Sequence, residues 1–209
     1  MNFNTKIISL ICSVVLLFSV KAIPHPMPSS IVNFSFGDNE IHLKIEVPVT
    51  EFQSAIKKNF QGNATKIETE YKSDIANYFL QHVKIKSQQG EIQPMRFDNL
   101  QVHNTAYGFG QYQEIVVNLT CQTTPQFNNR DFILDYDAVI HQVVTHFALI
   151  KINQDFENGI TPEDSVVVST IHLDIASNTI KPLTIKLEKG STWKGFNKMV
   201  KLGLHHIYT

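Results

Sequence analysis

The chain is expected to fold as a mainly β protein, an antiparallel β-sandwich with one or two short helices and a C-terminal amphipathic helix. Three observations predict this. Apolar and polar residues alternate with a period of two in many short stretches. Turn-forming clusters such as Gly37-Asp38-Asn39, Asn128-Asn129 and Asn158-Gly159 separate those stretches. Seven or more short strands without long helices between them suit two stacked antiparallel sheets, Ig-like in arrangement, better than an alternating α/β sheet.

The elements follow in order. Lys6 precedes an uncharged run from Ile7 to Val20, and Val20-Lys21-Ala22 places small residues where a signal peptidase reads. The run is shorter than the roughly 20 residues a membrane span needs, so residues 1 to 22 read as a cleaved secretory signal. That places the protein in an exported location, periplasmic or on the extracytoplasmic face of a membrane. Ile11 before Cys12 is a poor lipoprotein context, and no lipid anchor is expected. One domain, residues 23 to 189, comes next, followed by a tail from 190 to 209.

Within the domain, Ile41, Leu43, Ile45 and Val47 alternate with His42, Lys44 and Glu46, and Pro48 ends that strand. Similar alternation marks Val83 to Lys86, Ile115 to Cys121, Ser169 to Ile175 and Leu183 to Leu187. Apolar runs at Ile31 to Phe36, Phe132 to Tyr136 and Phe147 to Ile152 complete the strands. Helical patches are predicted near Thr50 to Asn59, with Thr50 as a cap, and Glu68 to Gln81, with Ile75, Tyr78 and Phe79 on the apolar face.

Removal of the signal takes away Lys6 and Lys21 and no acid, moving the formal charge from -1 to about -3. A domain so nearly neutral, with Arg96 and Arg130 as its only arginines, has no electrostatic footprint for nucleic acid. Cys121 is then the sole cysteine, so stability rests on a hydrophobic core and not on disulfides. There is no G-x-S-x-G elbow, H-E-x-x-H, phosphate loop or dinucleotide fingerprint, and no enzyme is expected.

One constellation has the donors for chemistry: Asp135, Asp137, His141 and His146. Imidazoles and carboxylates suit divalent transition metals such as nickel or zinc when three or four converge. On a strand, His141 and His146 would face opposite sides, being an odd number apart, so convergence requires a bend between them. The expected site joins His141 and His146 with Asp137 or His25 as a third ligand. The alternative is that each histidine hydrogen-bonds a backbone carbonyl at a sheet edge, and His25 equally suits the start of an extended strand. His42, His82, His103 and His172 are assigned nothing.

The tail is basic and bears the only tryptophan. Trp193, Phe196, Met199, Val200, Gly203 and Ile207 recur at helical spacing while Lys194, Lys198 and Lys201 mark another face. Such a helix lies in a headgroup layer with Trp193 and Phe196 down, or docks on its own domain; both readings fit. The stretch Trp193-Lys194-Gly195-Phe196, Met199-Val200 and Leu202 to Ile207 resembles the W-x-G-F-x-x-M-V-x-L-G-x-x-H-I lead-in to the first membrane helix of HupE/UreJ-type membrane proteins. His25-Pro26-Met27-Pro28-Ser29 resembles that family's H-P-x-P-x-S opening, and Asp137 to Ala148 (DAVIHQVVTHFA) its D-x-x-x-H-Q-V-V-T-H-x-A block.

The resemblance implies an extracytoplasmic domain that ends before the first membrane helix, with transport belonging to residues outside this chain. It also implies that His206, beside His205, would ligate metal only if a following G-x-D-H element supplied further donors. Two functional classes are therefore expected. One is a metal-binding or metal-sensing domain serving a membrane-embedded part of the same protein. The other is a metal-free β-sandwich interaction or structural module at the membrane surface.

Overall fold

Alternation becomes strand wherever one face has a core to meet. In the computed structural model, which describes residues 29–37, 39–60, 63–107 and 110–187, Ile41, Leu43, Ile45 and Val47 are all buried along β2 (Glu40–Pro48). Val32, Phe34 and Phe36 do the same along β1 (Ser29–Phe36). The remaining strands are β3 (Val83–Lys86), β4 (Met95–Tyr107), β5 (Gly110–Gln122), β6 (Asp131–Tyr136), β7 (Phe147–Asp155), β8 (Val166–Asp174), β9 (Thr179–Ile180) and β10 (Leu183–Lys186).

They form a seven-stranded sheet in the order β4-β5-β2-β1-β7-β8-β9 and a three-stranded sheet in the order β10-β6-β3. Every pairing is antiparallel except β1 with β7, which is parallel. The sheets share one apolar core as a sandwich, and Phe34 and Phe36 of β1 meet Phe132 of β6 at 5.9 and 6.3 Å between ring centroids.

Helices fill the segment between β2 and β3: α1 (Val49–Ile56), α2 (Ala64–Glu70) and α3 (Lys72–His82). α1 lies against β2 and β5, and α2 and α3 against β4. Phe52 of α1 stacks on Phe79 of α3 at 5.5 Å and meets Tyr78 edge-on at 4.9 Å, so the helices extend the core. None of the described helices is long and apolar enough to cross a membrane.

Three helices are present among the described residues where one or two were expected. The second patch is two helices meeting at Tyr71, whose backbone (φ -104°, ψ 2°) leaves the helical basin. Asn63 begins the first of them by accepting the Lys66 N–H at 3.1 Å. Thr50 is not a cap: α1 starts at Val49 directly after Pro48, and the Thr50 carbonyl instead accepts the Ser54 hydroxyl. The strand β4 was not legible because it is a largely exposed edge, with a bulge between Phe97 and Asn99. Glu68 of α2 covers part of that edge by accepting the Val102 N–H at 2.6 Å. The signal run, His25 and the whole tail lie outside the described residues.

Two polar clusters sit at the two ends of the sandwich. At one end Arg130, just before β6, makes a bidentate pair with Asp155 at the end of β7, at 2.5 and 2.8 Å, and lies over the Phe36 ring. At the other end Ser30 of β1 and His146, just before β7, hydrogen-bond at 2.7 Å with both residues buried. Tyr136, the last residue of β6, is buried beside Ser30. The segment 137–146 joins β6 to β7 across this second end.

Candidate metal centre

The register of the small sheet builds the site. β3 and β6 pair with Val83 opposite Tyr136, so the next step outward sets His82, the last residue of α3, opposite Asp137. The two residues are joined twice. The Asp137 N–H donates to the His82 carbonyl at 3.2 Å, and the His82 Nδ1 lies 2.8 Å from the Asp137 carboxylate.

After Asp137 the chain must turn at once, and Val139 makes the turn with φ at +65°. That region is unfavourable for a β-branched residue. Two contacts hold it: Val139 is buried, and its N–H donates to the Tyr78 hydroxyl at 2.8 Å. The turn brings His141 back so that its own N–H and its ring Nδ1 both reach the Asp137 carbonyl, at 3.1 and 2.9 Å. The His82 and His141 rings then stack, 4.5 Å between centroids and 10° from parallel. Tyr78 lies against His82 on α3, 4.3 Å between centroids.

Acceptor chemistry fixes the tautomers. A carbonyl oxygen only accepts, so the His141 Nδ1 carries hydrogen. Burial acts to raise the Asp137 carboxyl, but the His82 hydrogen bond and the attraction of His82, His141 and Lys84 outweigh it and hold the group below the usual carboxylate value. Asp137 is therefore ionised at neutral pH and accepts from the His82 Nδ1–H. In their neutral forms both rings keep the lone pair on Nε2. Fixing ligand histidines through Nδ1–H to a carboxylate or a carbonyl is the usual way a protein orients them toward a metal.

One donor atom from each of His82, Asp137 and His141 lies within 4.8 Å of the others, and all three side chains are half-buried. Donors sharing one zinc-like ion at about 2.0–2.2 Å sit no more than about 4.2 Å apart. The Asp137 carboxylate takes the Nδ1–H edge of His82 and so stands away from that ring's Nε2, which makes it the orienting group and leaves the two Nε2 lone pairs as the atoms that can hold an ion. Of the residues predicted from sequence, Asp137 and His141 are brought together. His146 lies outside the group, its ring on Ser30 and pushed to a pKa of about 4 by burial. Asp135 pairs with Lys86 across the β3–β6 ladder. His25 and His206, and the tail residues Trp193, Lys194, Phe196, Lys198 and Lys201, fall outside the described residues.

His82 is the member that sequence reasoning passed over. A histidine closing a helix just before the strand Val83 to Lys86 is a visible pattern, but its partner is 55 residues away. Only the strand register joins them. The chain matches no protein-family model and no curated protein.

Proposed function

We propose that this chain is an exported, extracytoplasmic domain of a HupE/UreJ-like membrane protein, and that it binds a divalent transition metal, nickel or zinc, through the Nε2 atoms of His82 and His141, with Asp137 holding both rings. One observation carries the metal reading: Asp137 alone orients both imidazoles, one through its carboxylate and one through its carbonyl. The donors are imidazoles without thiolate, which suits nickel and zinc. A bound ion would supply fixed positive charge and a ligand link between α3 and the 137–146 segment; the protein's part is to hold the rings. The family reading rests on the three sequence matches, and membrane association on the tail through Trp193 and Phe196 with Lys194, Lys198 and Lys201.

A second reading stands on the same contact. With His82 protonated, the 2.8 Å approach to Asp137 is a complete ion pair that ties α3 to the turn without metal. The protein would then be a metal-free interaction or structural module. Calorimetric titration with nickel and zinc at pH 7.5 separates the two. On the metal reading the parent binds, His82→Ala/His141→Ala abolishes binding, and Asp137→Asn weakens it about 10–100-fold. Equal heats for the parent and the double variant would establish the metal-free module. Binding should weaken on acidification, because protons compete with the ion for Nε2.

A further inference from the structure

The segment carrying Asp137 and His141 is fastened at its far end by a contact unlike the first. At its start it is held by a charged group, Asp137, at a half-exposed position. At its end it is held by His146, a neutral ring that is 1 % exposed, bonded through Nε2 to a Ser30 hydroxyl that is itself fully buried. The second ring nitrogen, Nδ1, has no hydrogen-bond partner, and the buried Tyr136 hydroxyl lies beside the same Ser30. The elements packed here are β1, β6 and β7. The Tyr136 phenol of β6 lies at the same Ser30, and burial keeps it protonated. No carboxylate contributes to the ionisation of His146; burial alone sets it.

A proton on this ring would place an unpaired charge in the apolar end of the sandwich, where neither Ser30 nor Tyr136 can neutralise it. The ring is relieved by leaving, and it stands at the hinge between the 137–146 turns and β7. The start of the segment is pinned, Val139 by its N–H on Tyr78 and Ala138, Val139 and Ile140 by full burial, whereas from His141 on the turns are closed by short-range bonds such as His141 to Asp137, Val143 to Val139 and His146 to Val143. The stretch from His141 to His146 can open without breaking the sheets.

We propose that His146 is an acid-operated latch: seated on Ser30 it closes the 141–146 stretch over the end of the sandwich, and mild acid unseats it and frees that stretch. Its regulatory meaning rests on the metal reading, since the freed stretch carries His141 away from His82. An exported domain that binds at neutral pH would thereby release its ion on acidification more steeply than competition at the ligands alone allows.

The seated ring titrates near 4 and a free one near 6.5, so the open population should rise about thirtyfold between pH 7.5 and 5. Hydrogen exchange of the full chain without metal, corrected for intrinsic pH dependence, reads this at the amides of His141 to His146, with the β1–β2 amides as reference. The expected result is a rise confined to that stretch, flattened in His146→Gln. Ser30→Ala, which keeps the ring, should show raised opening already at pH 7.5. A rise of the same size in His146→Gln, or no rise before the β1–β2 amides also open, would overturn the proposal. So would an NMR titration placing His146 above about 6 in the folded chain. Zinc titration of His146→Gln at pH 7.5 keeps the two ideas apart. Binding there with no latch response leaves the metal reading intact, and a latch response without binding in the parent removes the metal reading alone.

Discussion

At the scale of single residues, Val139 is the most constrained position described. A β-branched residue at positive φ stores on the order of 1–3 kcal/mol of backbone strain, and it persists because Tyr78 accepts its N–H and the core encloses its side chain. Tyr78 also faces His82, so one phenol supports both halves of the candidate centre. Burial raises that phenol to about 12, against a small opposing effect of the Val139 bond, and it stays protonated throughout the neutral range. Tyr78→Phe should leave a buried amide without a partner and cost about 1–3 kcal/mol. Urea unfolding checks this: the midpoint should fall at unchanged slope, and an unchanged midpoint would show that Val139 needs no such support.

At the scale of elements, the Arg130 pair sets how the two sheets are held at one end. Asp155 is 1 % exposed on β7, Arg130 leads into β6, and the guanidinium lies 5.5 Å from the Phe36 ring centroid on β1. Burial acts to raise the Asp155 carboxyl, but the bonds from Arg130 and Asn158 hold it below the usual value. Its stabilisation is thus complete above the unfolded carboxylate value and is lost as pH falls through the lower folded one. Arg130→Ala strands a buried carboxylate and should cost about 3–5 kcal/mol. Glu157→Ala, at a partner that is 47 % exposed, should cost under about 1 kcal/mol. Thermal melts at pH 7 compare them, and equal losses would mean the clamp is no stronger than its exposed arm. The elements themselves were unequally legible. β2 announced itself because one face is buried and the other wet; β4 did not, because its buried contacts are few and its polar side chains interrupt the period. Asp137 and His141 were readable from local spacing, whereas His82 depends on the β3–β6 register, which no local pattern encodes.

For the molecule as a whole, stability rests on the hydrophobic core. Cys121 is fully buried on β5 and burial pushes its thiol to about 12, so it is neither ionised nor reachable in the folded state. On a Cys12→Ser background, iodoacetamide at pH 8 should label the native chain at least about a hundredfold more slowly than the denatured one, and reductant should leave the melting curve in place. Rapid native labelling, or a melt that depends on reductant, would place the thiol outside the core. The mainly β sandwich followed from composition and alternation. The parallel pairing of β1 with β7 did not, because it depends on which edge of the β1–β2 hairpin remains free for a strand arriving late in the chain.

That parallel pair also orders events in time. β2 lies next to β1 in sequence and can pair as soon as both exist, but the β7 end of the chain is far off, with Ser30 and His146 separated by 116 residues. Closing so long a loop is entropically costly and slow, and the contacts it creates reward the chain only once it is made. Until then the inner edge of β1 is an unpaired strand beside Val32 and Phe34, open to the same edge of another molecule. The step that hides this edge is the one that seats His146 on Ser30, so that single buried contact is also the signature of a finished sheet.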